Sequence, residues 1–386
     1  MSKEILKRKF QFTDLDDNTN KYWQITVFDD GWLQTEYGRV GVVNKPSRKR
    51  GGVQDADKII RKKLRDGYKE LTLHVPDVVV GKKSTATLSA SVKSFVDMVM
   101  QEAGQQTSGY LSVPINELAQ SQLDDALKVL QEIQRLKNLN APLDKFIDLT
   151  QTYYTLVPTK LPARINKIDV TTELAANITE QEQRLLQLSA ALSSHKAAAS
   201  GGDGLEVLGG LKLVPAVRGG EKWEAIEDHI KHTIGYHTYV VDDVLEVEIP
   251  TERKAYDDND FGKHKTATVF HGTDNFNLQY IMRGGLIVPR VSSHGRYYGD
   301  GIYFSPQSQK SLNYTGGRTH TRTLLICEVA MGERQVAPGT GCRYRTQPDA
   351  GYHSIVSPYT PSGLDEYIVY NNNQVTIRAV ARMRRS

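Results

Sequence analysis

The sequence predicts a multidomain α+β protein. Residues 92–200 carry only helical apolar periodicity, whereas the stretches on either side hold short runs rich in aromatic and β-branched residues. The length of 386 residues fits two or three domains at about 150 residues each. With 39% hydrophobic and 24% charged residues, the chain is suited to packed cores rather than disorder. Its two cysteines, Cys327 and Cys342, exclude a disulfide scaffold and a four-cysteine zinc site. No apolar run approaches the ~18 residues of a membrane span, and the charged start lacks the apolar core of a secretory signal. An intracellular, reducing location with no membrane partner is therefore expected.

Residues 1–82 read as a small sheet followed by one basic helix. Tyr22 to Phe28 alternates and is rich in strand formers, Asp29-Asp30-Gly31 is a turn signal, and Trp32 to Val43 carries further strand-like runs. From Gln54 to Leu71 the period becomes helical, with Ala56, Ile59, Ile60 and Leu64 as the apolar stripe and Lys58, Arg61, Lys62, Lys63 and Arg65 around it. This region holds 17 Lys and Arg against 12 Asp and Glu, while the whole chain nets only +4, so the basic excess is local. The run Lys45-Pro46-Ser47-Arg48-Lys49-Arg50 reads as solvated surface, with an import signal as the alternative. Gly81-Lys82-Lys83-Ser84-Thr85 reads as a linker.

Residues 92–200 read as antiparallel helices around one core. Val92, Phe95, Val96 and Val99 suit a first amphipathic helix. Pro114 is expected to open a second through Ile115 and Leu118, and the stripe resumes at Leu123 after a break near Ser121. Pro158 ends a helix bearing Tyr153 and Tyr154. Thr171 or Thr172 is expected to cap the next helix, and Thr179-Glu180-Gln181-Glu182 has capping-box spacing for a last one. No His, Cys or carboxylate cluster offers a metal site here. Ala197 to Gly202 reads as a second linker.

Residues 205–386 read as an antiparallel split-sheet α+β domain. Strand-like runs include Thr238 to Val241, Leu245 to Ile249, Thr266 to Phe270, Leu324 to Val329, Tyr367 to Val369 and Val375 to Val380, with brief helices near Trp223 to Ile230 and Phe276 to Met282. Without βαβ spacing, G-x-G-x-x-G or a P-loop, a doubly wound nucleotide fold is not expected. Three motifs concentrate chemistry. Val269-Phe270-His271-Gly272-Thr273 ends a strand. Tyr297-Tyr298-Gly299-Asp300-Gly301-Ile302-Tyr303-Phe304, followed by Lys310-Ser311-Leu312-Asn313-Tyr314, pairs glycines that admit a flat ligand with tyrosines that can stack on it. Asp365-Glu366-Tyr367-Ile368-Val369-Tyr370 places a carboxylate where an apolar strand begins. Each residue alone has an ordinary reading, as a partly buried aromatic, a satisfied histidine or a solvated charge.

Together, with Gly351-Tyr352-His353-Ser354-Ile355, these segments resemble the ADP-ribosyltransferase domain of the poly(ADP-ribose) polymerases of DNA-dependent type. The family's H-G-S/T segment is matched at His271, its G-x-G-I-Y-F at Gly299 to Phe304, its G-x-H-S-V at Gly351 to Ile355 and its N-E-Y-I-V-Y at Asp365 to Tyr370. The resemblance implies a His271–Tyr303–Glu366 triad acting on NAD, which is a consumed substrate rather than a redox cofactor, with no metal required. His271 would bond a ribose hydroxyl, and Gly272, beside Thr273, would hold the carboxamide through its backbone. Ser311 would bond the same amide, Tyr303 and Tyr314 would sandwich the nicotinamide, and Asn277 would lie toward the adenosine. Glu366 would stabilise the cationic ribose that forms as nicotinamide leaves. His353 receives no chemical role.

The helical region resembles the family's autoinhibitory regulatory domain, chiefly through Asp148 to Pro158, and more loosely at Ile115-Asn116-Glu117-Leu118. Residues 1–82 resemble its WGR domain, with Tyr37-Gly38-Arg39-Val40-Gly41 in the motif position and Tyr37 replacing the namesake tryptophan. The resemblance implies DNA ends or breaks as a partner, contacted by Tyr37, Arg39, Lys45, Arg48 and Lys49, and protein acceptors that include the chain itself. The domain division expected is 1–82, 92–200 and 205–386, in a monomer that is nuclear if eukaryotic and in the cytoplasm or nucleoid if bacterial. Two departures bear on product. Ile287 stands where the family often has arginine, leaving Arg290 or Arg296 to serve the adenine side. The segment Ser357 to Leu364 is short, with Leu364 in place of a tyrosine. Formation of poly(ADP-ribose) stimulated by DNA is the first expectation. The alternatives are transfer of single units or short chains, a DNA-bound scaffold with a silent catalytic domain, and ADP-ribosylation of nucleic acid ends.

Overall fold

The structure, a computed structural model, describes residues 2–15, 19–39, 44–71, 88–161, 166–259, 265–291, 296–316, 321–337, 345–358 and 364–386. The first linker at Gly81 to Thr85, Val40 and Gly41 of the WGR-like motif, Cys342, and residues 359–363 of the short acceptor-side segment lie outside the described residues. The chain divides into two compact units, residues 1–77 with 107–192 and residues 78–106 with 193–386. None of its described helices is long and apolar enough to cross a membrane.

The first unit opens with a five-stranded sheet in the order β4-β3-β2-β1-β5. Its strands are β1 (Glu4–Asp14), β2 (Thr19–Phe28), β3 (Trp32–Arg39), β4 (Ser47–Arg50) and β5 (Lys69–Leu71). The basic helix α1 (Val53–Arg65) lies on one face, where Ala56 and Ile60 join Phe10, Trp23, Ile25, Val27 and Leu33 in a core. Phe10 and Trp23 meet with ring centroids 5.3 Å apart. The helix contains the whole apolar stripe but ends at Arg65, short of Leu71, because Gly67 takes a φ of +88° that turns the chain back into β5. Strand β1 carries no clear sequence signal. One face of it presents Phe10 to the core, but the other buries polar groups: the Gln11 amide and Thr13 hydroxyl donate to the Tyr154 carbonyl at 3.5 and 3.3 Å, and Lys9 pairs with Glu117. Alternation is legible only from Phe10 to Thr13, because Arg8, paired with Glu70, interrupts the apolar face.

Helices α3 (Gln120–Asn138), α4 (Asp144–Leu156), α5 (Lys167–Ala176) and most of α6 (Ile178–Ala199) complete this unit. Pro114 opens only a single 3-10 turn, Ile115–Glu117, and the helix proper starts at Gln120. The cap of α5 is Asn166, whose side chain accepts from the Ile168 N–H at 3.0 Å. Thr171 and Thr172 are therefore interior residues, and the expectation of a cap there is corrected. Thr179 falls inside the first turn of α6 rather than ahead of it. The second linker is shorter than expected, because α6 runs on through Ala199.

The second unit holds two sheets. The larger, in the order β6-β7-β14-β10-β8, comprises β6 (Lys212–Pro215), β7 (Tyr239–Glu248), β8 (Thr266–Gly272), β10 (Arg322–Ala330) and β14 (Val375–Arg385), all antiparallel. The smaller, β11-β12-β13-β9, comprises β9 (Ile302–Phe304), β11 (Arg334–Val336), β12 (Ser354–Ser357) and β13 (Glu366–Val369). Its β11–β12 pair is parallel, so the split sheet is not wholly antiparallel. Short helices α7 (Gly204–Val207), α8 (Glu221–Thr233), α9 (Pro250–Asp257), α10 (Leu278–Gly284) and α11 (Ser308–Leu312) connect the strands. Helix α2 (Ala90–Tyr110) contributes residues up to Gln106 here: Val92, Phe95, Val96 and Val99 are core residues of this unit, packed with Leu245, Leu278, Ile302 and Leu325.

Candidate active site

The histidine, tyrosine and glutamate motifs come together where the two sheets of the second unit are joined. Phe270 on β8 and Ser305, just after β9, exchange both backbone bonds, at 2.8 and 3.0 Å. Because Phe270 directs its N–H and C=O to that side, alternation along the strand sends those of Gly272 to the same open edge. A side chain at 272 would be impossible, since a Cβ there would lie 1.8 Å from the Ser311 carbonyl oxygen. Glycine thus lets α11 close on the end of β8. The Ser311 hydroxyl donates to the Phe270 carbonyl at 3.0 Å, so its proton is engaged by the protein and its oxygen is presented as an acceptor.

His271 is half-buried, and its Nδ1 lies 2.9 Å from the Tyr303 carbonyl. A carbonyl only accepts, so Nδ1 carries the proton. Burial holds the imidazole below its ordinary pKa, partly offset by that hydrogen bond. The ring is therefore neutral at pH 7 with Nε2 as an acceptor. The Tyr303 hydroxyl donates to the Gly299 carbonyl at 2.8 Å and accepts from the Tyr298 N–H at 3.1 Å, which fixes the plane of its ring. Tyr314 follows α11 with its ring 61% exposed, open to a stacking partner. Burial pushes both phenols up, and the Glu366 carboxylate adds to this in each, so the charge lies within electrostatic reach of both rings. Thr273 Oγ1 accepts from the Asn277 amide at 2.9 Å, and Asn277 is buried, so it braces the turn after Gly272.

Glu366 opens β13 and pairs with Lys310 of α11 at 2.8 Å, with the two side chains only 13% and 10% exposed. Burial strengthens the attraction but desolvation offsets much of it, so the main consequence is that loss of one partner would strand the other charge at a cost of about 3–5 kcal/mol. Lys310 has no assignment from sequence pattern. Its only signal was its place beside Ser311. Of the arginines expected to serve the adenine side, Arg296 approaches Asp300 at 3.4 Å and Arg290 is exposed. His353 latches two loops: its Nδ1 accepts from the Glu333 N–H at 3.0 Å, and Gly332, at a φ of +53°, gives it room. Among the described residues no group of three or more His, Cys, Asp or Glu could hold a metal ion.

The five basic or aromatic residues expected at DNA do not share one surface. In β3 the strand period puts Tyr37 and Arg39 on the face that carries α1, opposite Trp23 and Lys21 of β2. Lys49 of β4 lies opposite Leu33 on that face, whereas Arg48 lies opposite Gln34 on the other. The Arg48 guanidinium sits over Phe28 and donates to Gln34 at 2.7 Å. Lys45 is exposed in the connection before β4. Tyr37 is 66% exposed and borders Lys21 and Arg39, two like charges directly opposed across the strands. That juxtaposition is unfavourable without an anion to share. The motif glycine, Gly38, leaves room for the Asn44 amide to donate to the Tyr37 carbonyl at 2.8 Å.

Two outcomes follow. Gly272→Ala must displace α11, so nicotinamide affinity measured by calorimetry falls by at least tenfold, about 1.4 kcal/mol, while Gly284→Ala, with nothing within 4 Å of its Cβ, leaves it unchanged. The lowered pKa of His271 ties stability to pH. Between that folded value and roughly 6.5 the unfolded chain binds more protons, so this group's contribution is complete above about 6.5 and is lost as pH falls through the folded pKa. Urea titrations at pH 7.5 and pH 5 should show a larger drop for the wild type than for His271→Gln.

Residues 221–358 match the family description "Poly(ADP-ribose) polymerase catalytic domain", ending before Glu366, and residues 6–74 match "WGR domain". Among curated relatives, "Poly [ADP-ribose] polymerase" of Sarcophaga peregrina is 27% identical over 70% of this chain and 31% of its own length. "Putative poly [ADP-ribose] polymerase-like 100L" of Invertebrate iridescent virus 6 is 32% identical over 37% of this chain and 90% of its own length. "Protein mono-ADP-ribosyltransferase PARP4" of Homo sapiens is 22% identical over 78% of this chain and 18% of its own length. The chain thus spans about a third of the length of the Sarcophaga relative. On the viral match and the two domain matches, the chain belongs to the poly(ADP-ribose) polymerase family.

Proposed function

We propose that this chain transfers ADP-ribose from NAD to protein acceptors, itself included, under the control of DNA ends or breaks. The carrying observation is the convergence of His271, Gly272, Tyr303 and Glu366 on the junction of β8, β9 and β13. In the reaction, the bond from the ribose anomeric carbon to nicotinamide breaks and its electron pair goes to the ring nitrogen, which loses its positive charge. A carbon–oxygen bond forms to the acceptor, whose proton passes to Glu366 or to water. The open N–H and C=O of Gly272 and the Ser311 oxygen orient the carboxamide, and Tyr303 and Tyr314 clasp the leaving ring. Neutral His271 accepts a hydrogen bond from a ribose hydroxyl at Nε2. Glu366, released from Lys310 by the incoming hydroxyls, stabilises the cationic ribose.

Residues 1–82 serve as the DNA-facing module in this reading, 92–200 as the regulatory bundle and 205–386 as the transferase. The favoured contact with a DNA phosphate is the exposed end at Tyr37, Lys21 and Arg39. The chain acts as a monomer, in the nucleus in a eukaryotic setting. Transfer of short chains or single units is favoured by Leu364, which puts an aliphatic side chain two residues before Glu366, where the family resemblance expects tyrosine.

Labelled NAD, supplied with and without nicked or blunt duplex, tests the reading. Release of nicotinamide with label on protein, rising with DNA, is the expected result, and the gel mobility of the product separates polymer from single units. No turnover in either arm leaves a DNA-bound scaffold. Glu366→Gln should cut transfer by about 10²–10³-fold with nicotinamide still bound; a wild-type rate of label transfer with product of wild-type length would remove Glu366 from its role. Deleting residues 92–200 would strip Val92, Phe95 and Val99 from a core, so inhibition by the bundle is better tested by Tyr153→Ala within α4. Basal NAD turnover should rise, and an unchanged rate would refute inhibition.

A further inference from the structure

Strands β9 and β13 pair with Tyr367 opposite Phe304, Ile368 opposite Tyr303 and Val369 opposite Ile302. One step further along this register, Glu366 faces Ser305. Ser305 occupies a non-hydrogen-bonded position of that ladder, with its N–H and C=O turned to Phe270 on β8. The next position, facing Asp365, is Pro306, which has no N–H and whose carbonyl lies 3.2 Å from His229 Nε2, so the ladder with β13 stops beside Glu366. The next backbone donor on the glutamate strand, the Asp365 N–H, goes instead to a side chain: Gln307 Oε1 accepts it at 3.2 Å. Gln307 is held in turn by Ser305, whose hydroxyl donates to the same Oε1 at 2.9 Å and accepts from the Gln307 N–H at 3.1 Å. Ser305 is 1% exposed, so this clamp works away from bulk water. Gln307 is also the residue from which α11 starts, and α11 carries Lys310 and Ser311.

We infer that Gln307 is a positioning residue for Glu366. Its amide oxygen replaces the missing ladder bond beside the glutamate and ties the glutamate strand to the helix that presents Lys310 and Ser311. Asp365 N–H, Gln307 and Ser305 form one chain of hydrogen bonds from β13 to β8, so the carboxylate and the backbone of Gly272 are set by a common support. A displacement of Glu366 by a fraction of an ångström would weaken its stabilisation of the ribose cation without disturbing the nicotinamide contacts, which come from β8 and α11. This inference rests on Glu366 having the role proposed above.

The test uses the full chain with Gln307→Met, which keeps length and removes the acceptor, and Gln307→Glu, which keeps an acceptor oxygen. The readouts are kcat and KM for NAD, calorimetric nicotinamide affinity, and the melting temperature. Gln307→Met should lower kcat about tenfold while KM and nicotinamide affinity stay within about twofold. Gln307→Glu should recover most of that loss, with its pH–rate profile moved toward higher pH by the added charge beside Glu366. In a Glu366→Gln background, Gln307→Met should add no further loss, as expected of residues acting as one unit. An unchanged kcat, an equal fractional loss in both backgrounds, or a parallel fall in nicotinamide affinity and melting temperature would each overturn the inference. Wild-type chain that releases no nicotinamide overturns the transferase reading and this inference with it, whereas active wild type with an indifferent Gln307 overturns this inference alone.

Discussion

The exchange of backbone bonds between Phe270 and Ser305 is the constraint on which the site depends. It joins the edge of the five-stranded sheet to the end of the four-stranded one, and no side chain is needed to make it. Once the two strands are spliced there, His271 and Gly272 are one and two residues from the joint on one side. Tyr303 is two residues from it on the other, and Glu366 faces it across β13. Precision of this kind is best supplied by paired strands, whose backbone geometry leaves little freedom to the residues beside the pairing.

Just past the joint the ladder with β13 runs out. Pro306 has no N–H and its carbonyl lies 3.2 Å from His229 Nε2, so the Asp365 N–H needs another acceptor. The Gln307 amide meets the need at Asp365, and the Lys310 ammonium balances the Glu366 charge from the helix that follows. Close packing completes the arrangement, because α11 approaches Gly272 more nearly than any residue with a Cβ would permit. The carboxylate is thus held by neighbours that come from one short stretch, residues 305–310, between the tyrosine strand and the Ser311 helix.

The first unit follows a different logic. Its sheet has an apolar face covered by α1 and a polar face on β1 that meets α4 through Lys9, Gln11 and Thr13. Hydrogen bonds to one carbonyl and a half-buried ion pair are weaker and more easily exchanged than an apolar core. The exposed corner at Tyr37, Lys21 and Arg39 lies on the opposite, α1-bearing face, so a ligand there would not compete with those contacts.

Local pattern was enough for much of the protein. The helical stripe of Ala56 and Ile60, the periodic runs of α3 and α4, and strands β8, β10 and β13 are all readable from apolar spacing, and the His271, Tyr303 and Glu366 motifs are readable from residue order. What escaped was set by partners distant in the chain. β1 carries little apolar signal because two of its three buried side chains, Gln11 and Thr13, are polar. The capping of α5 by Asn166 instead of a threonine depends on where the preceding chain allows the helix to begin. The parallel pairing of β11 and β12 has no local signature at all. The sequence by itself determined the family and pointed to His271, Tyr303 and Glu366 as the residues the fold gathers, because these reside in residue type and order. Only the tertiary structure decided that Lys310 pairs with Glu366, that Gln307 accepts from the Asp365 N–H, and that Tyr37, Arg39 and Lys49 share one face of the first sheet while Arg48 lies on the other. Those facts depend on strand register and on the crossing of β9 between sheets, and register is fixed by pairing across the fold rather than by neighbours along the chain.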